Sequence, residues 1–267
     1  MPLFHLLVLA LIQGVTEFLP VSSSGHLALL PGLTGAEDQG LAIDVAVHVG
    51  TLFAVIAYFW ADVRLALFGS FRLLVGKADT PGARLALHLI LGCIPVVFFG
   101  LILHVTGWTE ALRSIAVIGW TMLIFGVVLY WADMTGDTSL DDTDWSLRDA
   151  MAMGLAQAIA LIPGTSRSGI TITAARKLGY NRESAARLSM LMSIPTIFTS
   201  GVLLMGDAIA EADAQLFRDA SIAAVFAFIS ALAALVLMMR LLKSVSFTPY
   251  VIYRCILGIV LLAIAYS

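Results

Sequence analysis

Gln13-Gly14-Val15-Thr16-Glu17-Phe18-Leu19-Pro20-Val21-Ser22-Ser23-Ser24-Gly25-His26 decides how this chain folds. The stretch closes an apolar run that begins at Leu3, and it sets a carboxylate, a proline, three hydroxyls, a glycine and an imidazole close together. If Leu3 to Leu19 is helical, Gln13 and Glu17 stand at i and i+4 and share a face. Pro20 then removes a backbone donor and ends that helix. Serine is a good N-cap, so a second short helix is expected over about Ser24 to Leu33, its free N–H groups turned toward Glu17. A helix N-terminus in that place is a ready anion site.

A second stretch repeats the form: Gln157-Ala158-Ile159-Ala160-Leu161-Ile162-Pro163-Gly164-Thr165-Ser166-Arg167-Ser168-Gly169. Here an arginine stands among the hydroxyls, and its planar fork of donors suits a phosphate.

Hydrophobic residues make up 60% of the chain and charged residues 12%, and the mean hydropathy is +0.97. A soluble domain carries about 25% charged residues, so the expectation is an integral membrane protein. The first basic residue is Arg64, so no basic signal region precedes the opening apolar run, and Leu3 onward is expected to remain in the mature chain. Cys93 and Cys255 lie in apolar runs and read as small packing residues.

Six segments are long and apolar enough to cross about 30 Å of hydrocarbon: about Leu41–Trp60, Leu85–Thr106, Ser114–Ala132, Leu188–Gly206, Ala220–Met239 and Tyr250–Tyr266. Four more, Leu3–Leu19, Ser24–Leu33, Ala150–Ile162 and Ser168–Leu178, are too short or too broken to span. The two polar stretches join them in pairs, and each pair is read as a re-entrant hairpin, tolerated at depth only where protein or a polar cavity surrounds it. The expected fold is therefore an all-α polytopic membrane protein of two inverted repeats, each a re-entrant helical hairpin plus three transmembrane helices. It forms a single membrane domain, with repeat one over about 1–132, an acidic loop over about 133–148 and repeat two over about 149–267. The run from Asp137 to Asp144 reads as a solvated loop.

The basic residues agree with that topology. With Leu41–Trp60 running inward, one side receives Arg64, Arg72, Lys77, Arg84, Arg148, Arg176, Lys177, Arg182, Arg187, Arg240 and Lys243, and the other only Arg113 and Arg218. The crowded side is the cytoplasmic one. Residues 206–219 would then lie outside, and the first hairpin would open outward. Arg167 and Arg254 fall within the membrane, where ionisable groups are costly and usually serve a site. Arg254 either snorkels or joins the site. Asp44 and His48, at i and i+4 in the first span, are either accessory site residues or a helix-packing pair. His5, His88 and His104 have no motif around them and read as packed or interfacial histidines.

Together the two stretches resemble those of the undecaprenyl-diphosphate phosphatases, the bacitracin-resistance family of bacterial inner membranes. The first family motif, Glu or Gln followed four residues later by Glu, stands here as Gln13 and Glu17 and continues through Phe18-Leu19-Pro20-Val21-Ser22-Ser23 to Gly25-His26. The second, Pro-Gly-x-Ser-Arg-Ser-Gly, is intact from Pro163 to Gly169 and is followed by Thr171. The leading position is Gln13 where a second carboxylate can stand, so Gln13 can coordinate through its carbonyl but cannot act as a base. The resemblance implies removal of the terminal phosphate from a C55 polyprenyl diphosphate, giving the monophosphate carrier lipid of peptidoglycan synthesis. It also implies dependence on Mg²⁺ or Ca²⁺ and a site open to the periplasm.

On this reading Ser23, His26, Glu17 and Arg167 are catalytic, and Glu17 either holds the metal with Gln13, the favoured role, or acts as base. Ser22, Ser24, Gly25, Ser166, Ser168, Gly169 and Thr171 form the phosphate cradle. Ser23 is the first choice of nucleophile, with His26 taking its proton. A phosphohistidine on His26 and direct attack by metal-bound water are the rival schemes. The partners are the lipid substrate and the membrane, with no nucleic acid and with a homodimer left open. The competing class is a secondary transporter for a phosphorylated lipid, which would need the arginine and the helix termini but no nucleophile beside a carboxylate.

Overall fold

A computed structural model describes residues 2–34, 40–108, 112–210 and 214–267. The expected outward segment 206–219 lies partly outside these. Among the described residues there are eleven α-helices, which we number α1 (Leu3–Phe18), α2 (Ser23–Thr34), α3 (Leu41–Tyr58), α4 (Trp60–Leu73), α5 (Pro81–Thr106), α6 (Ile115–Thr135), α7 (Leu147–Ile159), α8 (Arg167–Leu178), α9 (Arg182–Ala210), α10 (Ala214–Leu241) and α11 (Thr248–Tyr266). Six of them, α3, α5, α6, α9, α10 and α11, are long and apolar enough to cross a membrane. They coincide with the six expected spans, most of them extended by a few residues.

The helix ends follow local chemistry. Thr80 accepts from the Ala83 amide ahead of Pro81, Ser114 accepts from Val117, and Ser146 forms a capping box with Asp149. Gly107 and Gly179, at φ 71 and 103, close α5 and α8 in the left-handed conformation. The short helices lie against long ones through small residues. A Cβ on Gly14 of α1 would stand 1.9 Å from Ser230 Oγ of α10, and one on Gly154 of α7 would stand 2.2 Å from the Gly92 carbonyl oxygen of α5. Small residues let these backbones approach closely, which is how packing replaces the hydrophobic drive in lipid. Helix α3 packs on α9 and α10, α9 on α5 and α8, and α6 on α11.

Two features differ from the sequence reading. The basic segment after the first span, to which the sequence reading gave no element, is helical: α4 is pinned on α5, where a Cβ on Gly69 would meet the Gly82 carbonyl carbon at 2.1 Å. Its Leu67, Phe68 and Phe71 are exposed, and at fourteen residues it is too short to span. Asp62, Arg64 and Arg72 interrupt its hydropathy, which hid it from a search for spans.

The acidic loop, secondly, begins later than expected and is partly docked. Asp133 belongs to α6, is buried, accepts from Arg176 Nε at 3.1 Å and Arg182 Nε at 2.8 Å, and takes the Phe247 amide at 3.1 Å. Further along, Leu140 and Tyr180 exchange backbone contacts, and the Tyr180 hydroxyl donates to Asp149 at 2.8 Å. Burial and that carboxylate push the Tyr180 hydroxyl well above its ordinary pKa, so it remains a donor.

Candidate active site

The turns at the ends of α1 and α7 meet. Each is followed by a helix that opens directly after a serine with positive φ, Ser22 at 71° before α2 and Ser166 at 69° before α8. A non-glycine residue there is held against a cost of about 1–3 kcal/mol and persists only where its surroundings fix it. They do so here. Ser168 Oγ donates to the Leu19 carbonyl at 3.0 Å, and Ser24 Oγ accepts the Gly164 amide at 3.0 Å. Ser22 pairs with Ser24 at 2.9 Å and Ser166 with Ser168 at 3.2 Å.

Arg254 of α11 is fully buried and donates to the carbonyls of Pro20 (3.4 Å), Gly164 (3.1 Å) and Thr165 (2.9 Å), so one guanidinium holds both turns. Thr121 of α6 adds a 2.6 Å bond to the Pro163 carbonyl. Carbonyls that leave a helix inside an apolar protein need such donors.

Around this junction the polar groups converge on Glu17, whose side chain is only 7% exposed. Its Oε1 accepts from Arg167 Nη2 at 2.8 Å, and its Oε2 accepts from Gln13 Nε2 at 2.8 Å and from Ser23 Oγ at 3.4 Å. Gln13 Nε2 also reaches His48 Nε2 at 3.1 Å, while His48 Nδ1 meets the Asp44 carbonyl at 2.7 Å. His48 Nδ1 therefore donates to that carbonyl, and its Nε2 faces both Gln13 and, at 3.9 Å, Glu17 Oε2. Two buried atoms in the cluster have no hydrogen-bond partner, Arg167 Nη1 and Gln13 Oε1.

Gln13, Glu17, Ser23, Arg167 and His48 are thus brought together. His26 lies close by but faces elsewhere: its Nδ1 meets the Ser22 carbonyl at 2.8 Å, its Nε2 meets the Tyr253 hydroxyl at 2.7 Å, and the two rings stack at 5.5 Å. Among the described hydrogen bonds, none joins His26 to Ser23. Asp44 reaches the cluster through its backbone carbonyl. Ser22, Ser24, Ser166 and Ser168 spend their hydroxyls on lacing the turns. Thr171 is buried between the Arg167 carbonyl (2.8 Å) and Ser189 (2.6 Å), on the α9 side. Gly25 and Gly169 admit neighbours, since a Cβ would meet Met122 Sδ at 2.5 Å in the first and Arg254 Nη1 at 2.7 Å in the second.

Sequence reasoning left Arg254 undecided and missed Tyr253, Thr121 and Ser189. An arginine in an apolar span was a usable signal for the first; the others carried none.

Among the described residues no three His, Cys, Asp or Glu side chains gather as a metal cage. The site does offer the Glu17 carboxylate and, beside it, the partnerless Gln13 carbonyl oxygen. Two hard oxygen donors of this kind suit a cation such as Mg²⁺, which commonly takes one or two carboxylates and completes its shell with water or ligand oxygens.

Fold and site together define a polytopic helical membrane protein with a carboxylate, a serine and an arginine gathered where two pairs of short helices meet. The chain belongs to the bacitracin resistance protein BacA family, whose pattern matches residues 6–260. It is 70% identical over 267 residues to the undecaprenyl-diphosphatase of Jannaschia sp. (strain CCS1), covering 100% of both chains. It is 68% identical over 267 residues to the undecaprenyl-diphosphatase of Ruegeria pomeroyi, again covering 100% of both. With undecaprenyl-diphosphatase 1 of Rhodospirillum rubrum it shares 47% identity over 272 residues, 100% of this chain and 96% of that one.

Proposed function

We infer that this protein is an undecaprenyl-diphosphatase, removing the terminal phosphate of the C55 diphosphate to leave the monophosphate carrier of peptidoglycan synthesis. The observation that carries the reading is Arg167 Nη1, buried beside Glu17 and Ser23 without an acceptor. A buried guanidinium donor left unmet costs about 1–3 kcal/mol or more. A phosphate oxygen of the substrate would meet it, and the names of the full-length relatives agree.

Arg167 then orients the terminal phosphoryl group and follows its charge into the transition state, where positioning and charge stabilisation do most of the work. Ser23 Oγ attacks that phosphorus, and the bond from phosphorus to the bridging oxygen breaks, releasing the lipid monophosphate. What supports Glu17 as the group that takes the serine proton is the Ser23 contact to its Oε2. His26, whose expected role was that proton transfer, is engaged with the Ser22 carbonyl and Tyr253, and it can protonate a departing oxygen or bind phosphate only as the imidazolium, with Nε2–H turned from Tyr253 to the substrate. Water then hydrolyses the phosphoserine. Bound at Glu17 and the Gln13 carbonyl, Mg²⁺ or Ca²⁺ would neutralise charge on the phosphate oxygens.

The two halves read as inverted repeats with re-entrant hairpins, in a single domain. What supports this is the matching of contacts: α1 packs on α10 as α7 packs on α5, and α3 packs on α10 as α9 packs on α5. Gln13 and Gln157 are both fully buried, and each lies nine residues before its positive-φ serine. The basic residues set the orientation, with the protein in the bacterial inner membrane and the site open to the periplasm. A cysteine placed in residues 206–219 should label from outside intact cells and one in residues 64–82 should not; equal labelling would sink this orientation.

The defining experiment is phosphate release from undecaprenyl diphosphate by the purified protein in detergent, with and without a chelator. Lipid binding without phosphate release would place the protein among transporters instead.

A further inference from the structure

Apart from that site, α4, the start of α5, the loop after α6 and the start of α9 enclose a cleft of about 420 Å³. Its polar lining is Asp62, Arg84, His88, Asp142, Thr143, Trp145 and Arg187. Arg187 binds Asp62 at 2.6 Å and Asp142 at 3.3 Å, so those three groups together retain one negative charge. Arg84 is exposed and forms no ion pair among the described residues. The cleft therefore offers an uncompensated carboxylate and an unpaired guanidinium at once.

Trp145 supplies the second observation. Its side chain is 7% exposed, yet its Nε1 donor is buried without a partner. His88 stands edge-on to its ring at 5.3 Å. Trp145 lines the cleft, and a buried N–H without a partner is unfavourable until an acceptor reaches it. The remaining lining is apolar, with Leu65, Leu85 and Leu188. The surface beyond it is apolar too, since Phe68 and Phe71 of α4 are 64% and 67% exposed. A helix with basic residues and such a face suits the headgroup boundary of a bilayer.

We propose that this cleft binds one zwitterionic aminophospholipid. The lipid phosphate accepts from Arg84 and from Trp145 Nε1, the ammonium donates to the Asp62 and Asp142 carboxylates, and the acyl chains run over the leucines and α4. An anionic lipid such as phosphatidylglycerol satisfies only the first half of that pattern. A choline headgroup carries the charge but has no N–H to donate to the carboxylates. The proposal is independent of the hydrolytic reaction.

Native mass spectrometry of the full chain in detergent tests it, with dioleoyl phosphatidylethanolamine, phosphatidylcholine and phosphatidylglycerol offered in turn at equal concentration. One ethanolamine lipid should be retained in clear preference to the other two. Arg84→Gln, at an exposed position that tolerates change, and Trp145→Phe should each reduce its retention about tenfold, the scale of one charge-assisted hydrogen bond. If phosphatidylglycerol or phosphatidylcholine is retained equally well, or if Arg84→Gln binds the ethanolamine lipid as the parent protein does, the assignment is overturned.

Discussion

The Tyr253 hydroxyl and His26 Nε2 stand 2.7 Å apart with the two rings nearly parallel, at 11°. Because His26 Nδ1 faces the Ser22 carbonyl, Nδ1 carries a proton, and in the neutral ring the tyrosine donates to the other nitrogen. The Ser22 carbonyl therefore sets the tautomer, and the tyrosine holds the tilt of the imidazole. Tyr253→Phe keeps the stack and removes the bond, and should lower kcat about tenfold with little change in KM, the loss of one hydrogen bond at a working group. Tyr253→Ala should cost more. Full activity in both, measured as phosphate release, would leave His26 without a need for its partner.

Arg167→Lys keeps the charge but loses the fork that binds Glu17 with one nitrogen and holds the other free. We expect the protein to remain folded in detergent and kcat to fall by about 10²–10³, as when a transition-state donor is removed. Near-normal turnover would make the arginine a structural ion-pair partner only.

Ser23→Ala should abolish phosphate release. Radiolabelled diphosphate, quenched in acid during turnover, should leave an acid-stable phosphoryl group on Ser23 in the parent protein. An acid-labile label on His26, or substantial activity in Ser23→Ala, would transfer the nucleophile's role to the histidine.

Arg254→Met should act on stability before chemistry. The change strips donors from the carbonyls of Pro20, Gly164 and Thr165 inside the protein. Each orphaned group costs about 1–3 kcal/mol, so a marked fall in the unfolding midpoint in detergent is expected, with loss of activity following it. An unchanged midpoint would show that water or lipid replaces the guanidinium.

Much of this molecule was legible in its hydropathy, because a span needs some twenty apolar residues in a row and six segments supply them. Helix α4 was not, since its periodic apolar positions are interleaved with Asp62, Arg64 and Arg72, and its support comes from a Gly69–Gly82 approach that composition cannot reveal. Glu17, Gln13, Ser23 and Arg167 were legible as a group because each is a costly residue in an apolar setting. The serines of the cradle were legible by position but not by use. Ser168 and Ser24 turn to the backbone of the opposite turn, a choice made by tertiary contact. Tyr253 could not have been singled out, since a tyrosine in an apolar helix has no distinguishing neighbour in the sequence.

Ser23 and Arg167 occupy equivalent positions, each the first residue of its helix and each directly after a positive-φ serine. Were the two halves chemically identical, this junction would hold either two hydroxyls with no cation or two guanidinium groups repelling each other. A hydroxyl facing a positive charge arises because the halves differ there, as they also do at Glu17 and His26, whose counterparts in this register are Leu161 and Ile170. The junction is thus a broken symmetry: two turns of like backbone meet, and their unlike side chains set a hydroxyl, a carboxylate and a guanidinium at one point.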